Sequence, residues 1–356
     1  MIQDNGISIQ NIYYMLAYAF QSLNSSARED INTESFENIH NLFAAILSKA
    51  IGVQLKRGLY REYRHHQDDL TTMRGKIDVP RTIKNKLSRK QIISCEYDEL
   101  SENNLLNQIL KTAVILLLRH GSVDPKYKNE IKKSMLFFDD VEVLDPSSIK
   151  WSSVRFQRNN QSYRMIIGIC QLIMTGMLMT TDSGAYRLET FIDDQRMCRL
   201  YEKFILEYYT KEFPLLNVSA SRIPWGLDDR MKELLPAMQS DVTLQKGNAV
   251  LIIDAKYYGC ITQMHYDKRT LHSHNLYQIF TYVKNKDFEL GSIAHQVSGL
   301  LLYAQTEKEA LLNHTYKMSG NKISVRTLDL NCEFAEIAKQ LNLIVEEHFG
   351  EKQSVN

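Results

Sequence analysis

The stretch Ser240–Tyr258, SDVTLQKGNAVLIIDAKYY, decides the fold. Two β-rich runs flank Gly247-Asn248, which predicts a hairpin with a two-residue turn. Pairing outward from that turn sets Lys246 against Ala249, and hence Asp241 against Asp254. Directly opposed residues of an antiparallel pair share a face, with Cβ atoms about 5 Å apart. Lys256 follows Asp254 by two positions and shares that face too. The run Val250–Ile253 is unbroken and apolar, as expected of a central strand buried on both sides.

Two adjacent carboxylates repel, and one takes up a proton unless a cation compensates. Mg²⁺ prefers oxygen ligands and keeps several waters, so Asp241 and Asp254 suit it as metal ligands. An ion there would activate water and neutralise charge on a phosphate, with Lys256 orienting the attacking water or stabilising the transition state. The competing reading is a surface hairpin in which Asp and Lys simply pair, since a bare D-x-K is common.

Downstream, Gln278 and Tyr282 stand at i and i+4 of a predicted helix and share one face. They are candidates to contact a phosphodiester backbone; the bland alternative is amphipathic packing. Glu202, in LYEKF, is either a further metal ligand or a solvated helix carboxylate. His272 and His274 flank Ser273, and capping or surface roles outweigh a metal site for them.

Working outward, the predicted order is helix Ile9–Leu23, helix Phe36–Ile51, a pair of strands within Leu59–Val79, helix Asn103–His120 with Ser101 or Asn103 as cap, helix Lys126–Leu136, a strand at 141–144 and an apolar helix at 162–180. Turn residues then place a boundary near 181–190. Beyond it come helix Gln195–Phe213, strands Leu216–Ser221, Ala237–Leu244 and Ala249–Tyr258, helix Ser273–Asn285, strand Gly299–Tyr303, strands near Tyr316 and at Ile323–Leu328, and helix Glu333–His348. The fold class expected is α/β: a C-terminal mixed sheet flanked by helices, preceded by an α+β N-terminal domain.

Composition is that of an ordinary globular protein, at 356 residues, 44% hydrophobic and 24% charged, with a net charge of +1. That length accommodates two domains. Near-neutral charge gives no global nucleic-acid signature, so a DNA-facing surface must be a local patch or be completed by a partner. The five cysteines form no CxxC or Cys/His metal pattern, and read as reduced thiols in the cytoplasm. MIQDNGISIQ is no secretory signal. The most lipid-like run, Met165–Thr180, is shorter than the ~20 residues a bilayer requires. None of the 15 glycines opens a G-x-x-x-x-G-K-[ST] loop, so no nucleotide-hydrolysis site is expected on this chain.

Asp241, Asp254-Ala255-Lys256 and the Gln278/Tyr282 helix together resemble the PD-(D/E)xK nuclease superfamily, in its Q-x-x-x-Y branch. NIYYMLAYAF at 11–20, RGLYREY at 57–63, RGKID at 74–78, NNLLNQILK at 103–111, LLPAMQSD at 234–241 and HSHNLYQ at 272–278 more particularly resemble the McrC family. Its members are nuclease subunits of McrBC modification-dependent restriction systems. The resemblance implies a Mg²⁺-dependent DNA endonuclease with catalytic Asp241, Asp254, Lys256, Gln278 and Tyr282, acting on double-stranded DNA. It also implies an McrB-like AAA+ GTPase ring that binds GTP and reads modified cytosine, while this chain stimulates GTP hydrolysis. On that basis residues 1–155 would form the ring-docking domain, 156–190 a helical connector and 191–356 the endonuclease domain. Ser240 departs from the proline of the superfamily's name, a position with no chemical role. Two other readings stay open: a system directed at an unmodified sequence, and a non-catalytic GTPase-activating adaptor. Arg57, Arg74 and Lys76 are candidate ring contacts, with an ordinary solvated surface as the stronger reading.

Overall fold

The computed structural model describes residues 3–4, 7–19, 36, 38–176, 178–180, 186–188, 194–229, 231, 233–257, 262–265, 268–305 and 312–350. The chain divides into two compact units. One comprises 1–42, 175–179 and 189–356; the other comprises 43–174 and 180–188.

The first unit is built on a six-stranded mixed sheet. Its order across the sheet is Asn313–Met318, Asn321–Asp329, Gln296–Gln305, Ala249–Lys256, Val242–Lys246 and Asn217–Ser219. Ala249–Lys256, Gln296–Gln305 and Asn321–Asp329 run parallel, and the outer pairings are antiparallel. The expected hairpin is present, with Val242 opposite Ile253, Lys246 opposite Ala249 and Gly247 at φ +59° in the turn. One face packs on the helix Ser273–Leu290 through Val250, Ile252, Leu301 and Ile323 against Ile279 and Val283. A Cβ at Gly299 would lie 2.8 Å from both Ile279 and Val283, so the missing side chain lets this helix sit close to the sheet.

Tyr201, Tyr208 and Tyr209 on the helix Asp194–Glu212 join it to the sheet and to the C-terminal helix Phe334–Phe349. The three hydroxyls donate to Leu302 O, Ala338 O and Leu341 O respectively. The helix Ile9–Ala19 belongs to this unit despite its place at the start of the chain. Asn11 Nδ2 donates to the carbonyls of Leu330 (2.7 Å) and Cys332 (2.8 Å), and Tyr14 stacks on Phe334 with centroids 4.1 Å apart. Grouping by contact thus differs from the linear division in the home of residues 1–42.

The second unit carries a three-stranded sheet with Ile93–Ser101 between Glu62–Leu70 and Lys76–Ile77. Both strands expected in Leu59–Val79 exist, but each pairs with Ile93–Ser101 and not with the other. Between them Gly75 holds φ +64°, and a Cβ there would meet Glu96 O at 2.4 Å, so only glycine fits. The helix Val79–Leu87, not expected from the sequence, begins where Asp78 accepts from Arg81 N and Pro80 occupies the first turn. Arg74 lies 4.2 Å over the Tyr97 ring and pairs with Glu99 at 3.0 Å.

The strand expected at 141–144 is absent. Asn103 Oδ1 accepts from Glu142 N, Thr112 Oγ1 accepts from Leu144 N, and Lys111 Nζ donates to Val141 O, so side chains take the backbone groups a ladder would need. The buried asparagines of NNLLN have a similar role: Asn104 and Asn107 both donate to Tyr60 O, and Asn104 is the actual cap of helix Leu105–Arg119. The apolar helix ends earlier than expected, at Tyr163–Gly176, and Leu178–Thr180 pairs instead with Tyr186–Leu188. The expected boundary at 181–190 and the end of the first helix at 20–23 lie largely outside the described residues, as do Tyr258 and Cys260. Among the described residues no helix is long and apolar enough to cross a membrane.

Candidate active site

Asp241 immediately precedes strand Val242–Lys246, and Asp254 and Lys256 lie near the end of its partner. Extending the observed register by one pair sets Asp241 opposite Asp254. Asp241 Oδ2 accepts from the backbone N–H of Ala255 at 2.9 Å, which fixes one carboxylate relative to the other. Ser240 N donates to Ser221 O at 3.0 Å, a bond that proline could not make. The departure at this position therefore has a structural role.

Asp254 is 1% exposed, and Lys256 Nζ lies 2.9 Å from its Oδ2. Lys256 is thus the ion-pair partner of one Asp254 oxygen, and Asp241 stands against the same carboxylate. Burial pushes the Asp254 carboxyl up to about 7. Lys256 opposes that rise, and the charges of Asp241 and Glu202 add to it. Asp241 is raised by the same desolvation, held back by Lys256 and by the Ala255 N–H. Two buried carboxylates facing one ammonium are expensive unless a further cation or a proton arrives.

Lys256 Nζ also donates to Gln278 Oε1 at 3.3 Å, and Gln278 Nε2 donates to Tyr282 Oη at 2.9 Å. Asp254, Lys256, Gln278 and Tyr282 thus form one continuous chain of contacts, with Asp241 at its carboxylate end. The helix that presents Gln278 is anchored one turn earlier by Asn275, fully buried, whose Nδ2 donates to Tyr303 Oη at 2.9 Å. Tyr303 is the register partner of Lys256 on the neighbouring strand. Sequence reasoning missed this anchor, although Asn275, Gln278 and Tyr282 share a helical face by spacing.

Glu202 is half-buried and close enough to feel Asp241 and Lys256. Burial and the Asp241 charge raise its carboxyl, and Cys198 Sγ donates to its Oε1 at 3.2 Å. The Cys198 thiol is pushed up to about 12 by burial and by Glu202, so it is no thiolate nucleophile. His272 and His274 have ring centroids 5.7 Å apart at the start of the helix.

Among the described residues no group of three His, Cys, Asp or Glu side chains is disposed to hold a metal. The two opposed, buried carboxylates, with a single ammonium between them and the helix, still fit a hard cation that retains most of its waters.

Fold and site together define an α/β protein with a buried carboxylate–lysine cluster at one end of a mixed sheet. Residues 3–304 match the family described as "McrBC 5-methylcytosine restriction system component", and the chain belongs to that family. It is 27% identical over 347 residues to the Type IV methyl-directed restriction enzyme EcoKMcrBC of Escherichia coli (strain K12), covering 96% of this chain and 98% of that protein. It also resembles a chain in the refined half-complex from the tetradecameric assembly of Thermococcus gammatolerans McrB AAA+ hexamers with bound McrC. There the TM-score is 0.55 at 19% identity, over 94% of this chain and 76% of that one, a likeness of fold.

Proposed function

We propose that this chain is the McrC-type nuclease subunit of its restriction system, with a PD-(D/E)xK site that hydrolyses DNA phosphodiester bonds. The observation that carries the reading is the buried, 1%-exposed Asp254 set against Asp241 with Lys256 Nζ at 2.9 Å. Asp241 and Asp254 would hold Mg²⁺, which supplies Lewis acidity and water activation when bound. The Lys256 ammonium faces the charge that builds on the phosphate. Gln278 keeps that ammonium in place and offers its amide to the substrate backbone, with Tyr282 fixing the amide's orientation. Residues outside the carboxylate sheet would dock an McrB-like AAA+ GTPase ring, which binds GTP and reads modified cytosine.

The test combines the full chain with its GTPase partner, GTP, Mg²⁺ and methylated or unmethylated double-stranded DNA. Asp254→Asn and Lys256→Met should each reduce cleavage by at least ~10³-fold while leaving stimulated GTP hydrolysis intact. Cleavage by Asp254→Asn at the wild-type rate would reject the site. Equal cutting of both DNAs would assign the partner to an unmodified sequence. GTPase stimulation with no cutting by the unaltered chain would leave an adaptor.

A further inference from the structure

The sheet face opposite the carboxylates holds a second feature. Leu251 and Ser298 are register partners, as are Leu300 and Ser324, and their side chains alternate with Asp254 and Leu301. Over them, near the end of helix Phe334–Phe349, lies a cavity of about 140 Å³. A single water occupies roughly 10–15 Å³ on this measure, so the space suits something larger.

Three buried side-chain atoms on its lining have no hydrogen-bond partner among the described residues: Ser298 Oγ, Arg326 Nε and His348 Nε2. They come from two strands and a helix, and Ser298 is only 3% exposed. Glu347 engages Arg326 at Nη2, beside Nε on the same edge of the guanidinium, and Nε–H is the donor left over there. Unpaired buried polar atoms are costly, and the meeting of the Arg326 and Ser298 groups in one cavity points to a ligand that accepts from them; His348, whose ring bonds the Val250 backbone, borders it.

The chemistry of the lining selects that ligand. Its one carboxylate, Glu347, is neutralised by Arg326, and Lys322 adds a positive charge, so a cation is disfavoured. An apolar guest would leave the three polar atoms unpaired. A guanidinium N–H, an ammonium and a hydroxyl are groups that recognise phosphate oxygens. We propose that this cavity binds a tetrahedral oxyanion of the phosphate class, held by Arg326 and Ser298 with Lys322 beside it. An adjoining cavity of about 470 Å³ shares Ser298 and Lys322 and adds Lys317, while its carboxylate, Asp287, is already bonded to Lys284, His295 and Asn321. Positive charge therefore continues outward, and the phosphate could be a free ion or part of a nucleic-acid strand.

Inorganic phosphate is the probe, titrated calorimetrically into the full chain without divalent metal and at constant ionic strength. Saturable binding is expected, weakened about 5-fold in Ser298→Ala and at least ~10-fold in Arg326→Gln. Ser298→Ala removes only a hydroxyl, and an unchanged melting temperature separates lost binding from lost folding. A short duplex titrated into Asp254→Asn, with and without Ser298→Ala, distinguishes the sources. Weaker duplex binding with competition by phosphate identifies a strand phosphate; unchanged duplex binding beside lost phosphate binding identifies the free ion. The proposal fails if phosphate shows no saturable binding, or binds both variants as tightly as the unaltered chain.

Discussion

Asp254 ties chemistry to stability through its proton. In the unfolded chain the carboxyl titrates near 3.8, and in the folded chain near 7. Folding therefore favours proton uptake at this position. The stabilisation is complete below about pH 4 and disappears as pH rises through 7. Without divalent metal, Asp254→Asn should gain melting temperature over the unaltered chain at pH 8, by several degrees, and little at pH 4. Parallel melting curves for the two proteins from pH 4 to 8 would refute this account. At the same scale, Tyr282→Phe removes only the hydroxyl that accepts from Gln278 Nε2. It should reduce kcat about 10-fold with KM little changed, whereas a purely structural tyrosine would alter neither. Asp241, Asp254 and Lys256 were legible in the sequence because hairpin pairing is an arithmetic of alternation. The Asn275–Tyr303 bond and the nearness of Glu202 to Asp241 were not. The first depends on a parallel register set across a helical crossover, and the second on a helix packing beside a strand end.

Among the elements, the hairpin and the helix after it carry most of the design. Alternation, a glycine-asparagine turn and an apolar run all point to one pairing, and the strands adopt it. Elsewhere local patterns misled, because side chains competed for the backbone. VEVL at 141–144 has strand composition, yet Asn103, Lys111 and Thr112 take its N–H and C=O groups. The strand Ile93–Ser101 escaped notice because most of it is only partly buried or exposed and alternates weakly. The closeness of helix Ser273–Leu290 to the sheet yields a sharp expectation. Gly299→Ala places a methyl 2.8 Å from Ile279 and Val283, an overpacking that costs ~1–3 kcal/mol. The helix must move outward and carry Gln278 with it. Cleavage should then fall further than in a variant of equal melting temperature altered far from this helix, and equal losses would argue against the coupling.

At the scale of the whole molecule, the chain is not divided in the order it is written. Residues 43–174 and 180–188 form one compact unit, most of it inserted in the chain between a first helix and the helices that it packs on. Linear pattern reading had no access to this, since the partners of Asn11 lie 319 and 321 residues away. Asn11→Ala would strip two carbonyls of their donors, at ~1–3 kcal/mol. The sheet unit should melt a few degrees lower, with hydrogen exchange quickened in Phe334–Phe349 and unchanged in the three-stranded sheet. Uniform quickening in both units would contradict the grouping.

The same bond sets a schedule for biosynthesis. At ~5–20 residues per second, about 15–65 s separate the emergence of Asn11 from that of Leu330. Through that interval the inserted unit can mature, and the first helix waits until Asp194–Glu212 emerges to meet Tyr18. Nascent chains halted before Asp194 should be cut by protease within Ile9–Ala19, and chains carried past Phe349 should resist.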